Sequence, residues 1–182
     1  MGFYITMDSI NCVKKKIEGI IEKSAVPEDP IHAKNTWLLK LKPDADEALK
    51  IAALGHDIER AIEEQKVRRK DYISYDEFKK AHALNGAKIL KEIMMKCNLR
   101  KELVNDVFFL VRHHEIGGDR RADVLRDSLS FFHVPYYFAR NGVEETKKRW
   151  GYEKLAKNLQ VVKFNYEDDK LGPLVRTWVE DG

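Results

Sequence analysis

Apolar residues recur along this chain at helical rather than strand spacing, and the stop signals between them mark out a series of helices. Ile10, Val13, Ile17, Ile20 and Ile21 fall on one side of a first segment running from Asp8 to about Lys23. Asp29-Pro30 then offers an N-cap followed by proline at the first helical position, opening a helix with His32, Trp37 and Leu38 that ends near Lys42-Pro43. Asp44 or Asp46 caps the next helix, in which Leu49, Ala52, Ala53 and the run to Ile58 are nearly all apolar. A helix without a polar face belongs in the middle of a protein. From Glu63 to Ser74 the chain is polar, basic and without period, as in a loop or a short exposed helix. Asp76 opens a long helix in which His82, Gly86, Ile89 and Ile93 share one stripe. Another runs from Lys101 to His114 through Leu103, Val107, Leu110 and Val111, and Gly117-Gly118 stops it. Asp119 caps a helix through Val124, Asp127, Ser128 and Phe131, and beyond Pro135 and Gly142 a last helical region starts at Glu144. Only VVKFNY at 161–166 has the character of a strand. The pattern predicts an all-α fold, with residues 1–182 as a single domain.

Composition alters this picture little. With 182 residues, 43% of them hydrophobic, the chain can bury a core without disulfides or structural metal. Its 33 basic and 30 acidic residues leave a net charge of +3, too weak a bias for a nucleic-acid partner. Arg68-Arg69-Lys70, Arg120-Arg121 and Lys147-Lys148-Arg149 each read as solvated helix surface, or else together as a positive rim for a phosphorylated ligand. There is no signal-peptide core and no apolar run long enough for a bilayer, so a cytoplasmic location without a membrane partner is expected. Homo-oligomerisation stays open. Cys12 and Cys97 have neither zinc spacing nor a disulfide framework, and Cys97, after Ile93, Met94 and Met95, reads as a buried inert thiol.

The chemistry lies in polar residues at apolar positions. His56-Asp57 follows Ile51-Ala52-Ala53-Leu54-Gly55, and a buried aspartate is costly unless it is paired or binds a metal. Gly55 leaves room for another backbone or a ligand, and Gly86 removes bulk one turn beyond His82, as an approaching metal or substrate requires. His82 shares the stripe of Gly86 and Ile89, His114 that of Val107, Leu110 and Val111, and Asp127 lies between Val124 and Phe131. Any one such histidine is more often a hydrogen-bonded core residue than a ligand. Five of the six histidines (His32, His56, His82, His113 and His114) fall within this array, however. Imidazole mixed with carboxylate is what Mn, Fe, Co, Ni or Zn prefer, and facing helices of a bundle can each donate one ligand.

In order and in context, these residues resemble the HD superfamily of metal-dependent phosphohydrolases. The matching contexts are ALGHDIER around the doublet, HALNGAKIL around His82, VRHHE around the histidine pair and RDSLSFF around Asp127. The resemblance spans about residues 30–135, leaving 136–182 as a helical extension. It implies an HD-type helical bundle with His32, His56, Asp57 and Asp127 as ligands of one divalent ion. A second ion would add His82 and the pair His113-His114, with His113 slightly preferred and Asp57 bridging. It further implies hydrolysis of a small phosphorylated substrate by metal-activated water. Asp57 and Glu115 are then the catalytic candidates, and Arg60 and Arg112 the phosphate contacts, with Lys88 and Arg126 as further cations. Arg60 has the alternative of pairing with Glu63 or Glu64. The glutamate of HD nucleotidases, three residues after the doublet, and the GYP element of cyclic-dinucleotide phosphodiesterases are both absent, so the substrate stays open. Two other functions fit the same residues: a diiron oxygenase of HD-like type, and a non-catalytic regulatory module that binds a ligand.

Overall fold

A computed structural model of the chain describes residues 7–26, 29–37 and 44–126. Among them every regular element is helical and no strand occurs. They belong to one compact unit, Met1–Arg126. Asp127, the segment 161–166 and the C-terminal extension lie outside the described residues. The helices are α1 (Met7–Ile21), α2 (Asp29–Trp37), α3 (Glu47–Gly55), α4 (Tyr75–Lys96) and α5 (Lys101–His113), with 3-10 turns at Ile58–Ala61 and Arg69–Asp71. Residues 120–126 begin a further helix, capped as expected by Asp119, whose Oδ1 accepts the Ala122 N–H at 2.7 Å.

The apolar helix is the central one. Asp46 rather than Asp44 caps α3, accepting the Leu49 N–H at 2.9 Å, and every residue of α3 except Glu47 and Lys50 is buried. It packs against α1, α2 and α5. From α1 it meets the stripe of Val13, Ile17 and Ile21, and each fully buried Leu or Ile contributes about 2 kcal/mol. The long helix starts one residue earlier than Asp76 would set it. Ser74 is its cap: Ser74 Oγ accepts the Glu77 N–H and the Glu77 carboxylate accepts the Ser74 N–H, both at 3.1 Å. At the other end Asn98 takes a left-handed φ of 58°, and the Leu99 N–H returns to the Met94 carbonyl at 3.1 Å. This tight stop folds α5 back on α4 as a helical hairpin.

Two glycines let α4 close on the end of α3. A Cβ on Gly55 would stand 2.5 Å from Leu90, and one on Gly86 would stand 2.9 Å from the His56 carbonyl oxygen. The close approach expected at both positions is therefore made by protein, not by metal or substrate. It sets α4 directly against the His56-Asp57 doublet.

The reading of Cys97 as an inert thiol is corrected. Cys12 on α1 and Cys97 at the end of α4 form a disulfide across 85 residues of sequence. Spacing carried no trace of it, because the two cysteines meet only through the packing of α1 against α4. On the chain-entropy account a loop of this length stabilises by about 4.6 kcal/mol. Cys12→Ser is expected to lower the unfolding free energy by about that amount in denaturant titrations. Alkylation of the unreduced protein followed by intact mass checks the pairing, and two labelled thiols would overturn it.

Candidate metal centre

Five side chains converge from four elements. His32 comes from α2, His56 and Asp57 from the break between α3 and the following 3-10 turn, His82 from the middle of α4, and His114 from just beyond α5. His56 Nε2 lies 3.1 Å from His32 Nε2 and 3.2 Å from Asp57 Oδ2, while His82 Nε2 lies 3.0 Å from Asp57 Oδ1. They make two groups with metal-ligating donors, His32/His56/Asp57 and Asp57/His82/His114, each with its ligand atoms within 4.8 Å of one another. Asp57 belongs to both, presenting Oδ2 to His56 and Oδ1 to His82. The imidazoles are all buried, and their rings meet edge to face: His56 and His82 have centroids 5.3 and 5.5 Å from that of His114.

The outer nitrogens fix which atoms face inward. His56 Nδ1 donates to the Ala53 carbonyl at 2.9 Å, His114 Nδ1 to the Val111 carbonyl at 2.6 Å, and His82 Nδ1 to Glu59 Oε1 at 2.6 Å. Carbonyls and carboxylates only accept, so these Nδ1 atoms carry protons and the Nε2 atoms turn to the centre. Metal-ligating histidines are held in this way. Metal–nitrogen bonds near 2.0–2.1 Å put neighbouring ligand atoms about 2.9–3.4 Å apart, and the separations of 3.0–3.2 Å fall inside that interval. Hydrogen bonds span similar distances. With its Nδ1 proton on Ala53, His56 can face the Asp57 carboxylate from Nε2 only through a second proton or another cation in its place.

The electrostatics of the ion-free protein follow. Burial acts to raise the pKa of Asp57, but the charges of His56 and Arg60 and the hydrogen bonds from His56 and His82 hold it well below the usual carboxylate range. Burial disfavours charge on His82 too, yet its bonds to Asp57 and Glu59 prevail and lift its pKa to about 10. His114 goes the other way, to about 4, by burial against the pull of Glu115 and with the added repulsion of His56 and His82. It is a neutral candidate ligand.

Arg60 sits elsewhere than expected. Its Nη1 lies 2.7 Å from Asp57 Oδ2 and its Nη2 lies 3.0 Å from Asp29 Oδ1, so it pairs with neither Glu63 nor Glu64. Asp29 is buried and also accepts from Ser24 Oγ at 2.6 Å; burial raises its pKa despite Arg60. Of the histidine pair, His114 enters the centre. His113 donates from Nδ1 to the Phe109 carbonyl at 2.8 Å and lays its ring on Phe109, with centroids 4.3 Å apart, in neither ligand group. The preference for His113 is thus reversed. Glu115 Oε1 lies 3.8 Å from His114 Nε2, with Lys79 Nζ 3.8 Å from its other oxygen. Arg112 and Lys88 are exposed, and Arg126 reaches Asp123 at 3.2 Å. Sequence reasoning missed Glu59 and Asp29, buried carboxylates whose only signal was an acidic residue within a few positions of a candidate ligand.

A model of the family described as "Domain of unknown function (DUF4202)" matches residues 8–162. The chain belongs to the DUF4202 family. The matched stretch contains all five clustered residues and Asp127. No curated protein and no solved structure matches the chain.

The His82 proton gives the centre a pH signature. With a folded-state pKa raised from 6.5 to about 10, its contribution to ion-free stability is complete below pH 6.5 and is lost as pH climbs through 10. An ion at the Asp57/His82/His114 group must displace that proton. Zinc uptake at pH 8 is expected to release about one proton more per chain in wild type than in His82→Ala, with apparent affinity rising across the same window. Calorimetry in buffers of different ionisation enthalpy measures this, and equal release by the two proteins would remove His82 from the centre.

Proposed function

We propose that this protein is a metal-dependent phosphohydrolase acting on a small phosphorylated metabolite. The observation that carries the reading is the sharing of the Asp57 carboxylate between two imidazole-bearing ligand groups. The HD-type order of His32, His56-Asp57, His82 and His114 supports the same reaction class. His32, His56 and Asp57 would hold one divalent ion, and Asp57, His82 and His114 a second. Bound there, such ions supply Lewis acidity, lowering the pKa of a water and drawing charge from a phosphoryl oxygen. The residues of the chain do the rest. The Nδ1 bonds of His56, His82 and His114 keep their donor atoms aimed before a ligand arrives, so little reorganisation is needed at the moment of reaction. Glu115, 3.8 Å from His114 Nε2, is the carboxylate placed to hold a water or pass a proton to a leaving group. Lys79, beside Glu115, brings a positive charge to the same edge. Arg60 is committed to Asp57 and Asp29 and takes no phosphate role in this scheme.

The test is a screen of phosphomonoesters and phosphodiesters with Mn, Fe, Co, Ni and Zn in turn. Wild type is expected to release phosphate or a phosphomonoester product, and Asp57→Ala to fall to background while circular dichroism shows an unchanged helical fold. Full turnover by metal-stripped Asp57→Ala would put the chemistry elsewhere. Oxygen uptake by the iron-loaded protein, without turnover of any phosphoester, would replace hydrolysis by an oxygenase reaction.

A further inference from the structure

Glu59 is 1% exposed, yet it belongs to neither ligand group and has no part in the chemistry above. It stands in the 3-10 turn just after Asp57, and its carboxylate divides between two partners. Oε1 takes the His82 Nδ1 proton at 2.6 Å, and Oε2 takes the Val67 N–H at 2.7 Å. Both partners donate, so the position requires a group that only accepts. A carboxylate meets that demand; a carboxamide would turn its NH2 toward one of the donors. Two charge-assisted hydrogen bonds also answer the cost of burying the charge.

Val67 opens the way to the basic run Arg68-Arg69-Lys70, and a second tie holds the same loop. Asn85 Nδ2, one turn beyond His82 on α4, donates to the Gln65 carbonyl at 2.6 Å. Farther along, Tyr72 leans on Phe78, whose ring lies over that of His82 at 6.2 Å and 24°. The loop is thus fastened at several points to the stretch of α4 that carries a candidate ligand.

We propose that Glu59 is a positioning residue that couples the Asp57/His82/His114 group to this loop. By keeping a proton on His82 Nδ1 it leaves Nε2 as the ligand atom. By holding the Val67 N–H it ties the order of the loop to the presence of an ion. Such coupling is reciprocal: an ion that fastens the loop is itself bound more tightly by it. The proposal rests on the metal-centre reading, though not on hydrolysis.

The experiment uses the full chain, stripped of metal and titrated with cobalt(II), with hydrogen exchange followed at the Val67 amide. Wild type is expected to take two equivalents, the second slowing exchange at Val67. Glu59→Gln should bind the second equivalent about 10- to 100-fold more weakly and keep the first within about twofold, the usual cost of losing an outer partner of a ligand histidine. Its Val67 amide should exchange faster and ignore cobalt. The retained first equivalent shows that the variant is folded. His82→Ala, which leaves Glu59 in place, should abolish the cobalt response at Val67, and a response that persists there overturns the coupling. So does an unchanged second-site affinity in Glu59→Gln, with the metal centre itself left standing. Wild type that takes up fewer than two equivalents overturns the two-group reading first, and the coupling with it.

Discussion

Two oxygens of one mostly buried carboxylate face the Nε2 atoms of two imidazoles whose Nδ1 protons are already engaged. Asp57 Oδ2 meets the Nε2 of His56, and Oδ1 meets that of His82. An Nε2 lone pair set against such an oxygen would repel it among side chains this buried, so a proton or another cation belongs between them. The chain itself supplies such charge, by the proton on His82 and by the Arg60 guanidinium 2.7 Å from Oδ2. On the proposed metal reading, a divalent ion would take the place of both. Asp29 and Ser24 behind Arg60, and Glu59 behind His82, keep those charges in place.

The scaffold serves this one demand. An almost wholly apolar α3 ends on Gly55, so the doublet emerges from a run of buried residues. Leu90 and Gly86 of α4 press on the two sides of that break, which leaves His56 and Asp57 little freedom to turn away. The α4–α5 hairpin then brings His82 and His114 to the same place from adjoining helices. Backbone carbonyls at helix ends, Ala53 and Val111, double as acceptors for His56 and His114, so the ends of α3 and α5 are themselves part of the candidate site.

Much of this was legible in the sequence, for a physical reason. Helical period, the cap at Asp46 and the stop at Gly117-Gly118 are local, and polar residues on apolar stripes must point inward, as His56 and His82 do. What failed was whatever depends on direction outside a regular helix. His113 and His114 sit where α5 ends, and period alone does not say which ring turns in. Arg60 meets Asp57 three residues back, but its second partner Asp29 and both partners of Glu59 come from elsewhere in the chain, where spacing gives no guide. Asp29 does start α2, and serves as well as a tertiary anchor for Arg60, which a helix-start pattern does not announce. The disulfide joins two helices across the fold, and no local pattern announces such a partner.

That disulfide closes residues 12–97 into a covalent ring. His32, the doublet, Glu59, Arg60 and His82 lie within it, and His114 is carried on the strand of chain that leaves it. The exposed basic loop after Val67 is also inside the ring, and it is the natural place for a protease to cut. A chain severed there remains one molecule. The half bearing His56 and Asp57 stays tethered through α1 and α4 to the half bearing His82 and His114, at an effective concentration of about millimolar. Breaking the backbone in this exposed loop therefore does not by itself scatter the clustered residues; the cut and the reduction of the cystine are both required.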